Sequence, residues 1–334
     1  MLAKNVSGTY CKILKGNPSM STYSAAVIIP TRGGASKLHY PLDALEQQTE
    51  KDFQVIVVID GDIDDSASVV QRYIERSTLN LSIIVFDENR GRSKALNEGH
   101  RAADAQILIR CDDDLEPNPD FVEQHIRYHS QSSTEVGVVG LVNNIFPNTP
   151  YASVYGRYRD KKFREDAYAS SKDKHWHYWN ANASLSAEMF QKIGGYDERY
   201  RLYGWEDVDM GYELYLAGAE IILAHELESK HHIAATTTAD RAKRALYSGA
   251  ARYIFVKKHG DNVLSYPNPQ GLWGLAVKTV AKLSTETNVK YVGNAIDTVA
   301  DKIPPRLAEK LISLIVESAS YAGITHPQRA QKNF

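Results

Sequence analysis

The segment QILIRCDDD, residues 106–114, joins an apolar run to three consecutive carboxylates. A short apolar run that ends in turn-forming residues predicts a buried β-strand, so we expect the acids at its carboxyl end. Hard divalent cations such as Mg²⁺ and Mn²⁺ prefer oxygen ligands and often share them with substrate phosphates. The spacing of Asp112 and Asp114 therefore indicates a site for a metal ion and a diphosphate. A solvated turn is the alternative, because Pro117 and Pro119 follow closely.

Apolar runs upstream of this segment follow the same pattern. Strand-like runs at 25–30, 53–59, 81–86 and 106–109 alternate with helix-like stretches such as 67–76 and 93–103. Continuous apolar strands that alternate with helices predict βαβ units and a parallel sheet covered on both faces. Ligands bind such sheets at the carboxyl ends of the strands. We therefore expect Pro30-Thr31-Arg32, Asp60-Gly61-Asp62 and Asp112 to Asp114 to meet in one crevice.

Helical periodicity marks the C-terminal third of the chain. Apolar residues recur at helical spacing at Leu272, Leu275, Ala276, Val280 and Leu283, and again at Leu307, Leu311, Leu314, Ile315 and Ala319. Pro304-Pro305 is expected to open the last helix. Lysines and apolar residues around Trp273 also fit a helix that lies on a membrane surface, with an ordinary packed helix as the preferred interpretation.

Composition narrows the class of protein. The 334 residues are 43% hydrophobic, which is ample for a buried core. The formal net charge is −2, so the excess of positive charge that is typical of nucleic-acid-binding proteins is absent from the sequence. Cys11 and Cys111 are far apart, so a disulfide framework or thiolate zinc site is not indicated. With no leader-like or membrane-spanning run, we expect a cytoplasmic protein, soluble or peripheral at the cytoplasmic face of the membrane. The oligomeric state stays open.

A second acidic cluster, Gly204-Trp205-Glu206-Asp207-Val208-Asp209, precedes apolar residues at helical spacing. Acids in a first helical turn are stabilised by the helix dipole, so a purely structural role is one interpretation. Trp205 beside two carboxylates also suggests a platform for a sugar with a base next to it. Sugar transfer needs a carboxylate that deprotonates the acceptor hydroxyl while the diphosphate leaves with metal assistance. Asp207 is the best candidate for that base, and Glu206 for orienting the acceptor.

Six motifs follow one another along the chain: Ile28-Ile29-Pro30-Thr31, Val57-Val58-Ile59-Asp60-Gly61, the segment 89–99 (NRGRSKALNEG), Asp112-Asp113-Asp114, Gly194-Gly195-Tyr196-Asp197-Glu198 and Trp205 to Asp209. In this order they resemble the family-2 glycosyltransferases of GT-A fold, over about residues 25–232. The resemblance implies a Rossmann-like α/β fold whose mostly parallel sheet is flanked by helices, with a helical C-terminal region. It divides the chain into an N-terminal extension (1–24), a GT-A domain (25–238) with a nucleotide half (25–114) and an acceptor half (115–238), and C-terminal helices (239–334).

The resemblance also implies a reaction. It is an inverting transfer from a nucleotide-diphosphate sugar, with a UDP-sugar expected first, to a hydroxyl of a glycan or lipid-linked acceptor in polysaccharide, lipopolysaccharide or glycoprotein assembly. Mn²⁺ or Mg²⁺ would bridge the diphosphate. On the nucleotide side the matching residues are Pro30, Thr31, Arg32, Asp60, Asn89, Arg92, Lys94, Asp112 and Asp113. Asp112 and Asp114 match the Asp-x-Asp metal motif, and Glu206-Asp207 match the family's Glu-Asp pair with the aspartate as base.

Two further groups are assigned from position and chemistry. His231 and His232 fall where related enzymes often place a histidine that completes the metal shell, and neutral imidazole ligates Mn²⁺. A packing role for one of them is the alternative, and His231 is preferred as the ligand.

Aromatic residues interleaved with cations between 155 and 179 suggest that this stretch stacks on a sugar or binds an anionic acceptor. A solvated loop is the alternative interpretation. The candidates for acceptor binding are Trp176, Trp179, Asn182 and Trp205.

Two other functions compete with this one. A sugar-phosphate nucleotidyltransferase also uses an α/β fold and metal-binding acids, but the loop Thr31-Arg32-Gly33-Gly34 is short for its phosphate loop. A catalytically silent sugar-nucleotide binding protein would not need both acidic clusters. The segment Ile59-Asp60-Gly61-Asp62 departs from the Asp-Asp-Gly-Ser of many relatives, which leaves the nucleotide base open between UDP, GDP and dTDP.

Overall fold

The computed structural model describes residues 23–201 and 203–330 and two short backbone segments, Ala3–Lys4 and Tyr10–Cys11. The predicted N-terminal extension, residues 1–24, therefore lies almost entirely outside the described residues. The chain packs as two compact units. The first comprises Met1–Asn143, Ala167–Glu198 and Asp207–His232, and the second comprises Asn144–Asp166, Arg199–Glu206 and Ile233–Phe334.

Strands and helices alternate through the first two thirds of the chain, and helices fill the last third. The strands are β1 (Ala3–Lys4), β2 (Tyr10–Cys11), β3 (Tyr23–Thr31), β4 (Phe53–Ile59), β5 (Asn80–Val85), β6 (Ala105–Cys111), β7 (Leu115–Glu116), β8 (Val136–Val139), β9 (Val142–Asn144), β10 (Asn182–Ser186), β11 (Glu220–Leu223) and β12 (Ser229–His231). The helices are α1 (His39–Glu46), α2 (Ser66–Arg76), α3 (Arg92–Ala102), α4 (Phe121–Gln131), α5 (Arg157–Tyr168), α6 (Ala187–Ile193), α7 (Glu206–Leu216), α8 (Thr238–His259), α9 (Gly271–Ala281), α10 (Glu286–Asp297) and α11 (Pro305–Thr325).

The first unit is built on a seven-stranded sheet in the order β11-β8-β10-β6-β3-β4-β5. Strands β6, β3, β4 and β5 are parallel, β11 is parallel to β8, and β10 is antiparallel to both of its neighbours. A short antiparallel pair, β7 and β12, lies beyond the end of β6. The predicted α/β class with a mostly parallel sheet is confirmed.

Both faces of this sheet are buried, as the continuous apolar strands predict. On one face Val27 and Ile29 pack with Leu42, and on the other Ile56 and Val58 pack with Phe86. Since successive residues of a strand point to opposite faces, every position in the middle of β3 and β4 must be apolar. Polar side chains of these strands are therefore confined to the strand ends.

A hydrogen-bonded histidine pair lies in the interior of the first unit. His125 Nδ1 is 2.8 Å and His129 Nε2 is 2.9 Å from Ser184 Oγ, and His125 Nε2 is 3.0 Å from Asn182 Oδ1. Burial lowers the pKa of His125 to about 3 and that of His129 to about 4. His100, buried on α3, also has a pKa lowered by burial to about 4. These three imidazoles are therefore neutral at physiological pH.

In the second unit α8 and α11 pack at very short range. A Cβ atom on Gly249 would lie 2.2 Å from the Ser320 carbonyl oxygen, and one on Gly323 would lie 2.0 Å from that of Leu246. Only glycine permits this approach of two backbones. Helix α11 begins at Pro305, as Pro304-Pro305 predicts. In the part of the chain that the structure describes, no helix is both long enough and apolar enough to cross a membrane.

We predict that the free energy of unfolding falls as the pH drops below about 6.5. A histidine in the unfolded chain takes up a proton near that pH, whereas the lowered pKa values of His125, His129 and His100 keep them neutral in the fold down to about pH 3 to 4. Protons therefore favour the unfolded chain in this window, by about 1.4 kcal/mol per pH unit for each fully linked histidine. Urea titrations across the window measure the slope.

Two substitutions separate this effect from general acid sensitivity. His129→Gln removes one of the buried titrating groups and should flatten the slope, whereas exposed His39→Gln should leave it as in the parent. Equal slopes in both variants, or a flat profile in the parent protein, would contradict the prediction.

Candidate active site

Arg110, at the end of β6, joins the two acidic clusters. Its guanidinium donates through Nε and Nη2 to the two carboxylate oxygens of Asp112, over 2.8 and 3.2 Å, and through Nη1 to Oδ1 of Asp207. The Arg110 side chain is only 1% exposed. A guanidinium presents its donors in a fixed plane, so it holds the two carboxylates in a defined relative position. Residues that lie far apart in the sequence thus form one site.

Asp207 occupies the more open position in this cluster. Its side chain is 18% exposed, and in the described residues no recorded hydrogen bond reaches its second oxygen, Oδ2. Burial raises the pKa of Asp207, with a further contribution from the charge of Asp112, while Arg110 and Arg92 act in the opposite direction. Asp207 therefore has one oxygen fixed by Arg110 and one available to a bound molecule.

The other two acids after β6 have different partners. Asp113 is buried and its Oδ2 accepts from the Thr31 hydroxyl at 2.5 Å and from Lys37 Nζ at 2.7 Å. Asp114 Oδ2 lies 3.2 Å from His231 Nε2. Burial raises the pKa of Asp113 despite Lys37, whereas the hydrogen bond and charge of His231 hold the pKa of Asp114 below its usual value against burial. Asp113 thus ties the site to the loop after β3, and Asp114 stays ionised.

Asp114 and His231 fit a divalent metal ion. A carboxylate oxygen and an imidazole nitrogen that already lie side by side are ligands suited to Mn²⁺, and a carboxylate suits Mg²⁺. Both oxygens of Asp112 accept hydrogen bonds from Arg110, so Asp112 is less open to a metal ion than Asp114. His232 instead lies 2.7 Å from Glu116 Oε2 and stacks on Tyr40 with ring centroids 3.8 Å apart. This arrangement favours His231 as the ligand.

The predicted nucleotide-side residues surround the ends of β3 and β4. Asp60, 5% exposed, accepts from the backbone N–H groups of Arg90 at 2.5 Å and Gly91 at 2.9 Å. Asn89 Oδ1 also accepts from the N–H of Gly91, at 3.0 Å. This clamp fixes the loop that leads into α3 and hence Arg92, whose charge acts on both Asp114 and Asp207. Asp60 therefore organises the loop through its own carboxylate.

The remaining members of the nucleotide set differ in exposure. Pro30 and Thr31 are buried at the end of β3, whereas Arg32 is exposed. Lys94, on the first turn of α3, lies 2.9 Å from Glu98 and 3.4 Å from Glu198. Of the cations in this set, Arg32 and Arg92 are exposed, whereas Lys94 is half-buried.

Three residues with predicted acceptor roles lie in the interior. Trp176 is 5% and Trp179 2% exposed, and Trp179 Nε1 donates to the Tyr196 hydroxyl over 3.2 Å. Asn182 is fully buried, and its Nδ2 donates to the Leu227 carbonyl at 2.6 Å and the Ser229 hydroxyl at 3.0 Å. A ring or amide this buried offers no face to a sugar. In this conformation the three side chains pack and support the site rather than meet an acceptor.

Trp205 and Glu206 belong to the second unit. Trp205 has a left-handed backbone (φ 69°) after Gly204 (φ 82°), a conformation that costs a residue with a side chain about 1–3 kcal/mol. Its indole donates to Ser248 Oγ at 3.0 Å, and the Arg252 guanidinium lies 5.4 Å from the ring centroid. Glu206 is 2% exposed. Both residues directly precede Asp207 in the chain, so the strained turn sets where α7 begins.

Sequence reasoning missed four residues of this site. Arg110 and Lys37 are the counterions of the acids, and the Arg110 guanidinium carbon lies 5.9 Å from the Tyr196 ring centroid. Asn97 holds the backbone of Tyr196 by two hydrogen bonds of 2.8 Å, one to its carbonyl and one from its N–H. An arginine inside an apolar strand next to three acids is a signal that was available, since a buried cation requires a partner.

The parallel sheet, the acids at the end of β6 and the acid at the start of α7 define the class of GT-A nucleotide-sugar proteins. Residues 26–194, about half of the chain, match the model of the family described as glycosyl transferase family 2. The chain therefore belongs to glycosyl transferase family 2, which confirms the family and the enzyme class expected from the motifs. Residues 164–235 also match the model described as N-terminal domain of galactosyltransferase.

Individual relatives agree with this assignment. The chain is 27% identical over 237 residues to a validoxylamine A glucosyltransferase of Streptomyces hygroscopicus subsp. jinggangensis, covering 62% of this chain and 55% of that protein. It is 26% identical over 117 residues to an undecaprenyl-phosphate 4-deoxy-4-formamido-L-arabinose transferase of Pseudomonas syringae, covering 34% of this chain and 35% of that protein. The chain thus spans about half, or less, of the length of these relatives.

A solved structure confirms the fold. The mannosyltransferase PcManGT from Pyrobaculum calidifontis, solved in complex with GDP-Man and Mn²⁺, superposes with a TM-score of 0.64. The superposition covers 92% of this chain and 88% of that chain at 18% sequence identity. The predicted GT-A fold with its helical C-terminal region is therefore confirmed.

We predict that Arg110→Met destabilises the protein by about 3–5 kcal/mol, because it leaves two carboxylates facing each other without their buried counterion. Arg127→Met is the matched control: Arg127 pairs with Glu226 at 3.2 Å but both side chains are exposed, so its loss should cost at most about 1 kcal/mol. Urea denaturation at neutral pH measures both.

A double substitution tests the physical reason. Arg110→Met combined with Asp207→Asn removes one of the stranded charges and should recover part of the lost stability, giving a clear coupling energy in a double-mutant cycle. Additive effects of the two substitutions would contradict the role assigned to the Arg110 bridge.

Proposed function

We propose that this protein is an inverting glycosyltransferase that moves a sugar from a nucleotide-diphosphate sugar to a hydroxyl of a glycan or lipid-linked acceptor. The observation that carries the proposal is the Arg110 bridge, which places the acid at the start of α7 beside the Asp-x-Asp at the end of β6. The acids at the end of β6 would bind the metal ion of the leaving diphosphate, and Asp207 would deprotonate the attacking hydroxyl. Membership of glycosyl transferase family 2 supports the same division.

Asp207 is proposed as the general base. Arg110 fixes its Oδ1, so Oδ2 is the oxygen that accepts the proton from the acceptor hydroxyl. As that O–H bond breaks, the acceptor oxygen bonds to the sugar's anomeric carbon, and the bond from that carbon to the diphosphate breaks on the opposite side. The electron pair leaves with the diphosphate. A single base and a single displacement give inversion, and the raised pKa of Asp207 suits it to proton abstraction.

The donor is proposed to lie over the ends of β3, β4 and β6. Thr31, Arg32, Asp60, Asn89, Arg92 and Lys94 would form the nucleotide side. Asp114 and His231 would hold Mn²⁺ or Mg²⁺, which when bound offsets the charge of the diphosphate. Lys37 and Arg92 add positive charge near the same acids, as their effect on the pKa of Asp114 indicates. A UDP-sugar is the first expectation, with GDP and dTDP as the competitors.

The acceptor is proposed to be a glycan or a lipid-linked glycan. One relative is named a validoxylamine A glucosyltransferase, and another an undecaprenyl-phosphate 4-deoxy-4-formamido-L-arabinose transferase, whose name supports a lipid-linked acceptor. Trp205 is the aromatic side chain proposed to stack on the acceptor, because it directly precedes the Glu206-Asp207 pair and stays partly exposed.

We predict that one nucleoside diphosphate among UDP, GDP and dTDP raises the melting temperature in the presence of Mn²⁺ and much less with EDTA. Ligands that bind only the folded state stabilise it, by about 2.7 kcal/mol at a hundred times the dissociation constant. Asp114→Ala should abolish the metal-dependent part of the shift, and Asp173→Ala, an exposed acid outside the site, should retain it. A thermal-shift titration measures all three proteins.

A shift that persists with EDTA and in Asp114→Ala would contradict the assigned metal site. No shift with any of the three nucleotides would contradict the proposed donor class.

We predict that Asp207→Asn keeps the nucleotide-dependent thermal shift but lowers the turnover number by about 10²–10⁴, the range for loss of a general base. In the parent enzyme the base must be ionised, and burial raises its pKa. Transfer should therefore be maximal above that raised pKa and should fall as the pH drops through it, at a higher pH than for an ordinary aspartate. Donor turnover against pH measures this profile. Undiminished turnover in Asp207→Asn would rule out the assignment.

A further inference from the structure

Helix α9 (Gly271–Ala281) has an apolar face on each side. Its inner face consists of Gly274, Val277 and Ala281, which are buried in the second unit. Residues on the opposite side of a helix lie about two positions away from these, at the spacing i, i+3, i+4 and i+7. The outer face is therefore formed by Leu272, Leu275, Ala276 and Thr279, with Leu283 just beyond the helix end. A surface helix normally presents polar residues there.

This outer face carries some of the most exposed apolar side chains in the described part of the chain. Leu272 is 88%, Leu283 71% and Leu275 63% exposed. Single exposed leucines are common on protein surfaces, but two on one stripe of a helix with a third just beyond its end are not. Folding of the second unit does not require them, because the inner face of α9 already supplies its packing. The stripe therefore has a use outside the folded chain.

The sequence segment that carries the stripe has charges of one sign. The sequence from Asn262 to Thr285 contains no Asp or Glu, and its charged residues are Lys278 and Lys282. Tyr266, just before α9, stacks on Tyr253 with centroids 6.4 Å apart, and Tyr253 lines a cavity of about 390 Å³ together with Arg199, Lys257 and Lys258. Positive charge thus accompanies the apolar stripe through Lys278 and Lys282, while Glu317 of α11 is occupied by the Trp273 indole. An anionic partner complements this surface.

Aromatic residues stand at the edge of the stripe. Trp273 is 40% exposed, and its indole N–H donates to Glu317 Oε2 on α11 over 2.8 Å, which holds the ring in place. Tyr266 is also 40% exposed. Trp and Tyr with an apolar body and an anchored polar end are enriched where proteins meet the boundary between lipid and water. Leucines, lysines and a tryptophan on one short helix match a helix that lies in that boundary.

We propose that the outer face of α9, with Trp273, Lys278 and Lys282 at its edges, docks on the surface of an anionic lipid bilayer. The leucines enter the boundary between headgroups and acyl chains while the lysines pair with lipid phosphates. The main competitor is a second copy of this chain. A helix of 11 residues is about 16 Å long, and a stripe of that length is small for a stable dimer interface of about 800 Å² per partner.

The test is flotation of the purified protein with vesicles of phosphatidylcholine, with and without phosphatidylglycerol. The parent should float with the anionic vesicles, and Leu272→Ser/Leu275→Ser should lower its partition at least about tenfold, since binding scales with buried apolar area. Lys278→Glu/Lys282→Glu should lose the preference for phosphatidylglycerol. The matched control is Leu216→Ser, which removes a leucine of similar exposure, 57%, on α7 and should bind like the parent. All substituted side chains are exposed or half-buried, so circular dichroism should show unchanged folding.

Tryptophan fluorescence supplies an independent measurement. Anionic vesicles should shift the emission of the parent to shorter wavelength, and Trp273→Phe should remove that shift. Equal flotation of the parent and the double leucine variant would overturn the proposal. So would a parent that does not float but is a dimer by light scattering, with the leucine variant a monomer, because the face would then join two copies. No donor or acceptor is present, so either result is independent of the proposed transfer reaction.

Discussion

The buried ion pairs of Arg110 determine the geometry of the whole site. One guanidinium, almost fully removed from water, neutralises Asp112 at the end of β6 and Asp207 near the start of α7. Desolvating an arginine is costly, and only a complete set of partners offsets that cost. The positions of β6 and α7 are therefore coupled through charge. Tyr196, beside the guanidinium and held by Asn97, extends the coupling to α3. Polar contacts thus link β6, α7 and α3 around one guanidinium.

Each of the three consecutive acids after β6 has a different partner. Asp112 is paired with Arg110, Asp113 with Thr31 and Lys37, and Asp114 with His231. Like charges this close raise one another's pKa, so each carboxylate needs its own partner to remain ionised. Two of these four partners, Arg110 and Lys37, were assigned no role from the sequence motifs. The Asp-x-Asp pattern thus belongs to a larger network of ion pairs and hydrogen bonds. The middle acid, Asp113, has partners in this network just as the outer two acids do.

Much of the fold could be predicted from the sequence because its signals are local. The strands are continuous apolar runs, the site acids follow them directly, and Pro304-Pro305 marks the start of α11. The pairing of Arg110 with Asp207 and the backbone clamp made by Asp60 could not be predicted, since each depends on contacts between distant segments. Trp176 and Trp179 illustrate a second limit: aromatic composition indicates a sugar site or a core equally well, and only burial separates the two. The left-handed backbone of Trp205 has no sequence signal, because its residue type disfavours it.

The surroundings of Asp207 balance two opposing requirements on a base. A carboxylate in a strong ion pair is well oriented but weakly basic, because the pair stabilises its charged form; burial has the opposite effect. Here Arg110 takes one oxygen, while burial and the charge of Asp112 raise the pKa of the same carboxyl. Asp112 accepts from two nitrogens of the guanidinium, whereas Asp207 accepts from one. Arg110 therefore fixes one oxygen of Asp207, while burial keeps the pKa of the same carboxyl above its usual value, so that one residue is both oriented and basic.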